Sequence, residues 1–309
     1  MTYMIKDRIL STLKFFDLQG YPLTLLELEK FLIADIAGLK NNIDRDGEVL
    51  GSINLEQSPK VSIDQILKCL DIECLNEVEN HLGFYYLKGR KNIVDLRLGN
   101  YFFGIKREKL IRKFIGGLRH LPFVRGVALG GSQAMGQQKN TSDVDILVIT
   151  EPGFMWLCRT LVTGYFQITG KRRHGQHVTD RFCLNHYLGG PKALDKIKNL
   201  YSAMEYARLR PLVYAWGTAD FKANNKDWMN IFFPNLKPNF RTDEAQSKIQ
   251  KLLEKFLDSR FGNFLEKTLK FALLARIKQS KFIIVEDDEL SFHPDSKQEK
   301  LLQDFLQVS

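Results

Sequence analysis

The chain has 309 residues, 44% hydrophobic and 26% charged, the balance of an ordinary folded protein with room for two domains, or one large one with an appendage. No apolar run approaches the roughly 20 residues of a membrane span. The N-terminus also lacks a signal peptide's apolar core, so the sequence predicts a cytoplasmic protein with no membrane partner. Cys69, Cys74, Cys158 and Cys183 form no paired Cys or Cys/His spacing, which argues against a disulfide framework or a structural zinc.

The net charge of +9 is unevenly spread: residues 1–100 hold 12 Lys and Arg against 15 Asp and Glu, the remainder 33 against 21. The positive field therefore lies after residue 100, where it can attract a polyanion.

Taken in order, Ile5 to Phe16 has the apolar spacing of an amphipathic helix, stopped at Gly20-Tyr21-Pro22. Thr24 with Glu27 is a capping box that opens a second helix through about Ile33. A polar stretch follows from Asn41 to Ser58. Ser62 with Gln65 repeats the cap, and Leu75 to His81 is expected to form another short helix. Phe84 to Leu87 and Ile93 to Leu96 flank Lys88-Gly89-Arg90-Lys91-Asn92 and read as a hairpin with a basic tip.

Short helices followed by such a hairpin give the order of a winged-helix domain, a fold that commonly reads DNA. This segment is net negative and has no Lys/Arg-rich helix, so its charge argues against nucleic acid and favours a packing or dimerising module.

Ile105 to Leu118 predicts a helix with one apolar and one basic side. A buried strand, Val124 to Leu129, then delivers Gly130-Gly131-Ser132 into a turn and short helix. A second apolar strand opens with Asp143-Val144-Asp145. Alternation puts Asp143 and Asp145 on one face, about 7 Å apart. Two carboxylates on one face of an apolar strand are costly unless a cation joins them.

Beyond this, Phe154 to Thr169 predicts a helix, and Gly170 to His177 a basic loop whose His174 and His177 read as solvated. A third strand, Phe182 to Leu188, is expected to place Cys183, Asn185 and Tyr187 on one face and His186 on the other. A helix bent near Pro211 is expected over Ala193 to Trp216, a loop over Asn224 to Phe240, and helices over Asp243 to Leu257 and Phe264 to Arg276. A hairpin (Lys281 to Val285, Leu290 to Phe292) and a helix from Lys297 to Leu306 complete the chain.

Gly131-Ser132, ten intervening residues, then Asp143-Val144-Asp145 at the start of a strand closely resembles the nucleotidyltransferase superfamily that includes DNA polymerase beta and the antibiotic nucleotidyltransferases. More broadly, Phe16-Asp17, Tyr21 to Thr24, Gly89-Arg90 and Phe292-His293-Pro294 resemble bacterial proteins that place a winged-helix-like segment before such a domain.

The resemblance implies an α+β protein with a mixed sheet. Its expected parts are a winged-helix-like domain at 1–100, a nucleotidyltransferase domain at 101–235 and a mainly helical region at 236–309. It implies that Asp143 and Asp145 are catalytic residues holding Mg²⁺ or Mn²⁺, and that Gly130, Gly131 and Ser132 bind the phosphates of a nucleoside triphosphate. A nucleoside monophosphate would pass to an acceptor hydroxyl. The family usually has a third carboxylate on a later strand, and at the fitting position this chain has Asn185, which binds ligands but accepts no proton. That departure keeps open a degenerate, nucleotide-sensing module.

Overall fold

The computed structural model describes residues 2–35, 58–192, 194, 198–237, 244–277, 283–292 and 296–308. The polar stretch from Asn41, the helix starts expected at Ala193 and Asp243, the first residues of the hairpin from Lys281, and His293-Pro294 lie outside them.

The chain opens with α1 (Thr2–Asp17), β1 (Leu23–Thr24) and α2 (Leu25–Lys30). Both expected capping boxes form: Thr24 and Glu27 close the N-terminus of α2, and Ser62 and Gln65 that of α3 (Ile63–Ile72). The second helix ends at Lys30, short of Ile33.

The hairpin differs from expectation. Its strands are β2 (Val78–His81), where a helix was expected, and β3 (Phe84–Leu87). The turn is Leu82-Gly83, both at positive φ (51° and 78°), the backbone a two-residue hairpin needs. A leucine there gives no turn signal, which is why the sequence hides it. Together with β1, the strands form a three-stranded sheet in the order β1-β3-β2. The basic run at 88–91 is therefore not a hairpin tip, and Ile93 to Leu96 is not a strand. Those residues begin a 24-residue helix, α4 (Asn92–Ile115), whose Ile93 and Val94 bury against Tyr86.

The second sheet has six strands in the order β7-β4-β5-β6-β9-β8. They are β4 (Val124–Leu129), β5 (Val144–Thr150), β6 (Phe182–Gly189), β7 (Arg210–Val213), β8 (Ile283–Val285) and β9 (Glu289–Phe292). Only β5 and β6 run parallel; every other neighbouring pair is antiparallel.

The expected bent helix over 193–216 is instead α7 (Leu200–Arg208) followed by β7. Pro211 is tolerated because β7 is an edge strand, where a missing N–H leaves no inner partner unsatisfied. The expected loop from Asn224 contains a helix. Asn225 separates α8 (Ala215–Asn224) from α9 (Lys226–Phe232), and its buried side chain bonds Leu194 N–H, Trp228 Nε1 and the Phe221 carbonyl.

Each face of this sheet carries a core. Ala128, Leu147, Ile149 and Leu188 pack with the N-terminal helices, with α7 and α9, and with α12 (Ser296–Val308). Val127, Leu129, Ile146, Val148 and Tyr187 pack with the second half of α4 and with α6 (Met155–Ile168). Two further helices, α10 (Lys248–Leu257) and α11 (Arg260–Leu274), turn carboxylates inward. Glu254 accepts from Phe123 N–H and pairs with Arg125, while Glu266 accepts from the Trp156 and Leu157 amides at the start of α6. Among the described residues no helix is long and apolar enough to cross a membrane.

The segment leading to Asp143 is anchored by the buried Arg107 of α4. Its guanidinium donates to Asp180 (2.8 Å) and to the carbonyls of Lys139 (3.3 Å) and Asn140 (3.1 Å). Charge-assisted bonds of this kind contribute about 1.5–3 kcal/mol each, so Arg107→Met is expected to lower urea-derived stability by about 2–3 kcal/mol. A loss below about 0.5 kcal/mol, the range of an ordinary surface change, would contradict the anchoring role.

Candidate active site

The turn after β4 and the start of β5 meet because the two strands are antiparallel, with Leu129 opposite Ile146. Gly130 N–H then donates to the Asp145 carbonyl at 3.0 Å. Gly131 follows at φ +56° and opens α5 (Gly131–Ala134). A Cβ on Gly131 would lie 2.2 Å from Asp145 Oδ2 and 3.0 Å from its Cγ. Only glycine fits there, both for its backbone angle and for the carboxylate packed against it.

Asp143, Asp145 and Cys183 converge, their ligand-type atoms all within 4.8 Å of one another. Burial, and then the charge of Asp143, push the Asp145 carboxyl up to about 6, against the opposing pull of Arg173 and a hydrogen bond from Cys183. Burial and the two carboxylates push the Cys183 thiol up to about 12. It is thus a neutral S–H donor at physiological pH.

Arg173 donates to Asp143 Oδ2 at 2.5 Å and lies 3.4 Å from Cys183 Sγ. The basic loop delivers it because Arg173 N–H bonds the Phe182 carbonyl, which fixes the loop beside β6. His174 and His177 are exposed and bridge each other through their backbones, and neither joins the cluster of Asp143, Asp145 and Cys183.

The alternation expected for β6 is broken by a bulge. Asp145 pairs with Cys183, yet Leu147 pairs with His186, so β6 spends one residue more than β5 over this step. Paired residues of neighbouring strands face the same side. Cys183 and His186 therefore share the face of Asp145, and Tyr187 turns to the opposite core beside Val148. This corrects the expectation that His186 faces away from Asp145. His186 sits one pair deeper than Cys183, buried 3.6 Å from Glu289 of β9. Asn185 falls within the bulge, two residues after Cys183 and next to His186.

The donor set fits a hard divalent cation. Two close carboxylates, one of them resisting ionisation for want of compensating charge, match how Mg²⁺ or Mn²⁺ is held through one or two carboxylates plus substrate phosphates. The neutral thiol is a poor ligand for either ion and completes no soft-metal set.

Residues 111–200 match the family model of the nucleotidyltransferase domain. The segment carrying the Gly131 turn, both aspartates and Cys183 is thus a domain of the nucleotidyltransferase superfamily, set within a mixed α/β chain. No curated protein and no solved structure matches the chain.

Sequence reasoning missed Cys183 and the contact of Arg173 with Asp143. A signal existed for each: β5 and β6 had to be neighbours, and Arg173 closes the run Lys171-Arg172-Arg173 that leads into β6.

Because the Asp145 carboxyl is raised from 3.8 to about 6 in the fold, the folded chain binds its proton between those values while the unfolded chain releases it. This group's contribution to stability therefore falls as pH rises through that window, and it stays unfavourable above it. Asp145→Asn is expected to raise metal-free stability at pH 7.5 by up to about 3 kcal/mol, with little gain at pH 4. Equal effects at both pH values in denaturant titrations would contradict the carboxylate strain.

Proposed function

We propose that the chain is a divalent-cation-dependent nucleotidyltransferase that moves a nucleoside monophosphate from a nucleoside triphosphate to an acceptor hydroxyl. The observation that carries this reading is the Gly131 turn packed against the Asp145 carboxylate, with Asp143 beside it. In this reading Asp143 and Asp145 hold Mg²⁺ or Mn²⁺. Held there, the cation would supply positive charge that offsets the negative charge developing during in-line displacement.

The remaining work belongs to the chain. Gly131 and Ser132 present backbone amides at the first turn of α5, where no preceding carbonyl is within the helix, to the triphosphate oxygens, and Gly130, its own N–H held by the Asp145 carbonyl, brings the turn up to the phosphates. Arg173 already meets Asp143 and supplies a guanidinium at the mouth of the site, suited to a phosphate oxygen. Asn185 offers an amide to the nucleotide from the β6 bulge. The acceptor oxygen forms its bond to the α-phosphorus as the bond to pyrophosphate breaks, and the hydroxyl proton passes to solvent water.

The reading keeps three parts, at 1–100, 101–235 and 236–309, in a cytoplasmic protein. The helix order and the β1-β3-β2 sheet support a winged-helix-like first part, while its charge of −3 supports a packing role over DNA binding.

A second reading, a nucleotide-binding sensor without turnover, is favoured by Cys183. A thiol held near 12 stands beside the two aspartates, and among the described residues no third carboxylate joins them.

Incubation of α-phosphate-labelled nucleoside triphosphates with Mg²⁺ and RNA, protein or small-molecule hydroxyl acceptors is expected to give labelled product. Asp145→Asn and Gly131→Ala should each reduce it by at least about 100-fold, as loss of a centre that stabilises transition-state charge does. Product formation unaffected by Asp145→Asn would overturn the transferase. Triphosphate binding by calorimetry with no product from any acceptor would favour the sensor.

A further inference from the structure

A cleft of about 700 Å³ opens beside the signature turn, away from the carboxylates. Its walls come from four places. The N-terminal segment supplies Tyr21, Glu27, Lys30 and Phe31; α4 supplies Arg97, Tyr101, Glu108, Lys109 and Arg112; and the last turn of α5 runs past it at Gln133 to Gly136. Arg208 and Arg210, at the junction of α7 and β7, close the far side. Since α5 has four residues, at 1.5 Å per residue this wall stands about 6 Å from the Gly131 end.

The cleft holds more positive charge than the protein neutralises. Six cationic side chains face two carboxylates, Glu27 and Glu108. Both carboxylates are already engaged. Glu27 accepts two bonds from Arg97, at 2.7 and 2.8 Å, and is held down to about 2, with those bonds and the Arg97 charge overcoming its burial. Glu108 is shared by Arg112, at 3.1 Å, and Arg210.

Arg208 carries the strongest sign. Its guanidinium lies over the rings of Phe16, Tyr21 and Phe31, at 5.1, 4.5 and 4.5 Å from their centroids. Its Nε and Nη2 are buried and have no hydrogen-bond partner among the described residues. Buried donors left unpaired are costly, and a guanidinium costs more than a neutral group. Nearby, burial and then the charge of Arg208 lower the Lys30 pKa, and the charge of Glu27 offsets only part of this.

We infer that this cleft binds a phosphoryl-bearing anion, held by Arg208, Lys30, Lys109 and Arg112 beside the last turn of α5. Arginine forks match phosphate oxygens two at a time, and the aromatic rings clamp Arg208 so that little freedom is lost on binding. The volume is that of a small-molecule site. Two sources share this chemistry: the outer phosphates of the nucleoside triphosphate at the Asp143/Asp145 site, or a phosphorylated acceptor lying next to it. The second possibility rests on the transferase reading; the anion site itself does not. Either source gives the N-terminal segment a part in ligand binding, through Lys30 and the rings around Arg208.

The test is calorimetry of the full chain with inorganic tripolyphosphate in magnesium-free buffer. Binding is expected in the unmodified chain and in Asp145→Asn alike. Arg208→Met should weaken it at least tenfold. The double variant Lys109→Gln/Arg112→Gln, which alters two exposed side chains and leaves the fold intact, should weaken it clearly as well. No binding, or affinity unchanged in both variants, would overturn the inference.

Competition then separates the sources. Displacement of tripolyphosphate by Mg²⁺ with an α,β-methylene triphosphate analogue places the nucleotide's own phosphates in the cleft, whereas simultaneous binding of both assigns the cleft to a phosphorylated acceptor. If transfer fails while tripolyphosphate binding and its loss in the variants persist, only the proposed reaction is at fault.

Discussion

Two like charges, Asp143 and Asp145, are held together where the inner strand β5 begins, and the local structure is arranged around that cost. The Asp145 carboxylate lies where a side chain on Gly131 would have to be, so the turn before α5 accepts glycine alone. The penalty appears as a carboxyl raised to about 6. Its neighbours offset part of the cost: Arg173 from the basic loop meets Asp143, and the Cys183 thiol donates to Asp145. The divalent cation proposed for these two carboxylates would offset more of it.

The rest of the chain holds that strand start in place. Arg107 fixes the segment that enters Asp143, and the β6 bulge brings Cys183 level with Asp145. From the far end of the sequence, Gln250 and Glu254 bond the backbone of Val124 and Phe123 at the start of β4, and Glu266 covers the first amides of α6. The C-terminal strands extend the same sheet beyond β6, and β9 places Glu289 against His186. At the other end of the chain, the N-terminal helices share one core with Leu147 and Ile149, the apolar residues that follow Asp145 on its face. The site is therefore supported from both ends of the chain.

Local chemistry made much of this legible. The capping boxes at Thr24 and Ser62, the strand from Val124 to Leu129 and the spacing from Gly131 to Asp145 depend on near neighbours, and the structure has them where the residues indicate. What was hidden depends on distant partners. The turn at Leu82 is imposed by strands β2 and β3 that pair around it, and Pro211 joins a strand because that strand lies at a sheet edge. Ile93 and Val94 have strand-forming side chains yet bury in a helix against Tyr86, where packing outweighs propensity. The β6 bulge is of the same kind. Strict alternation gives a face for every residue, and one extra residue reverses the assignment for all that follow, which moved His186 to the side of Asp145.

The central claim is that Asp143 and Asp145 share a divalent cation with the phosphates of a nucleoside triphosphate. A crystal structure with Mn²⁺ and an α,β-methylene triphosphate analogue, using the anomalous signal of manganese, tests it most directly. The account predicts a manganese peak touching oxygens of both aspartates and of the triphosphate, with the Gly131-Ser132 turn against the phosphates. A triphosphate bound elsewhere, or manganese absent from the two carboxylates at saturating concentration, would contradict it.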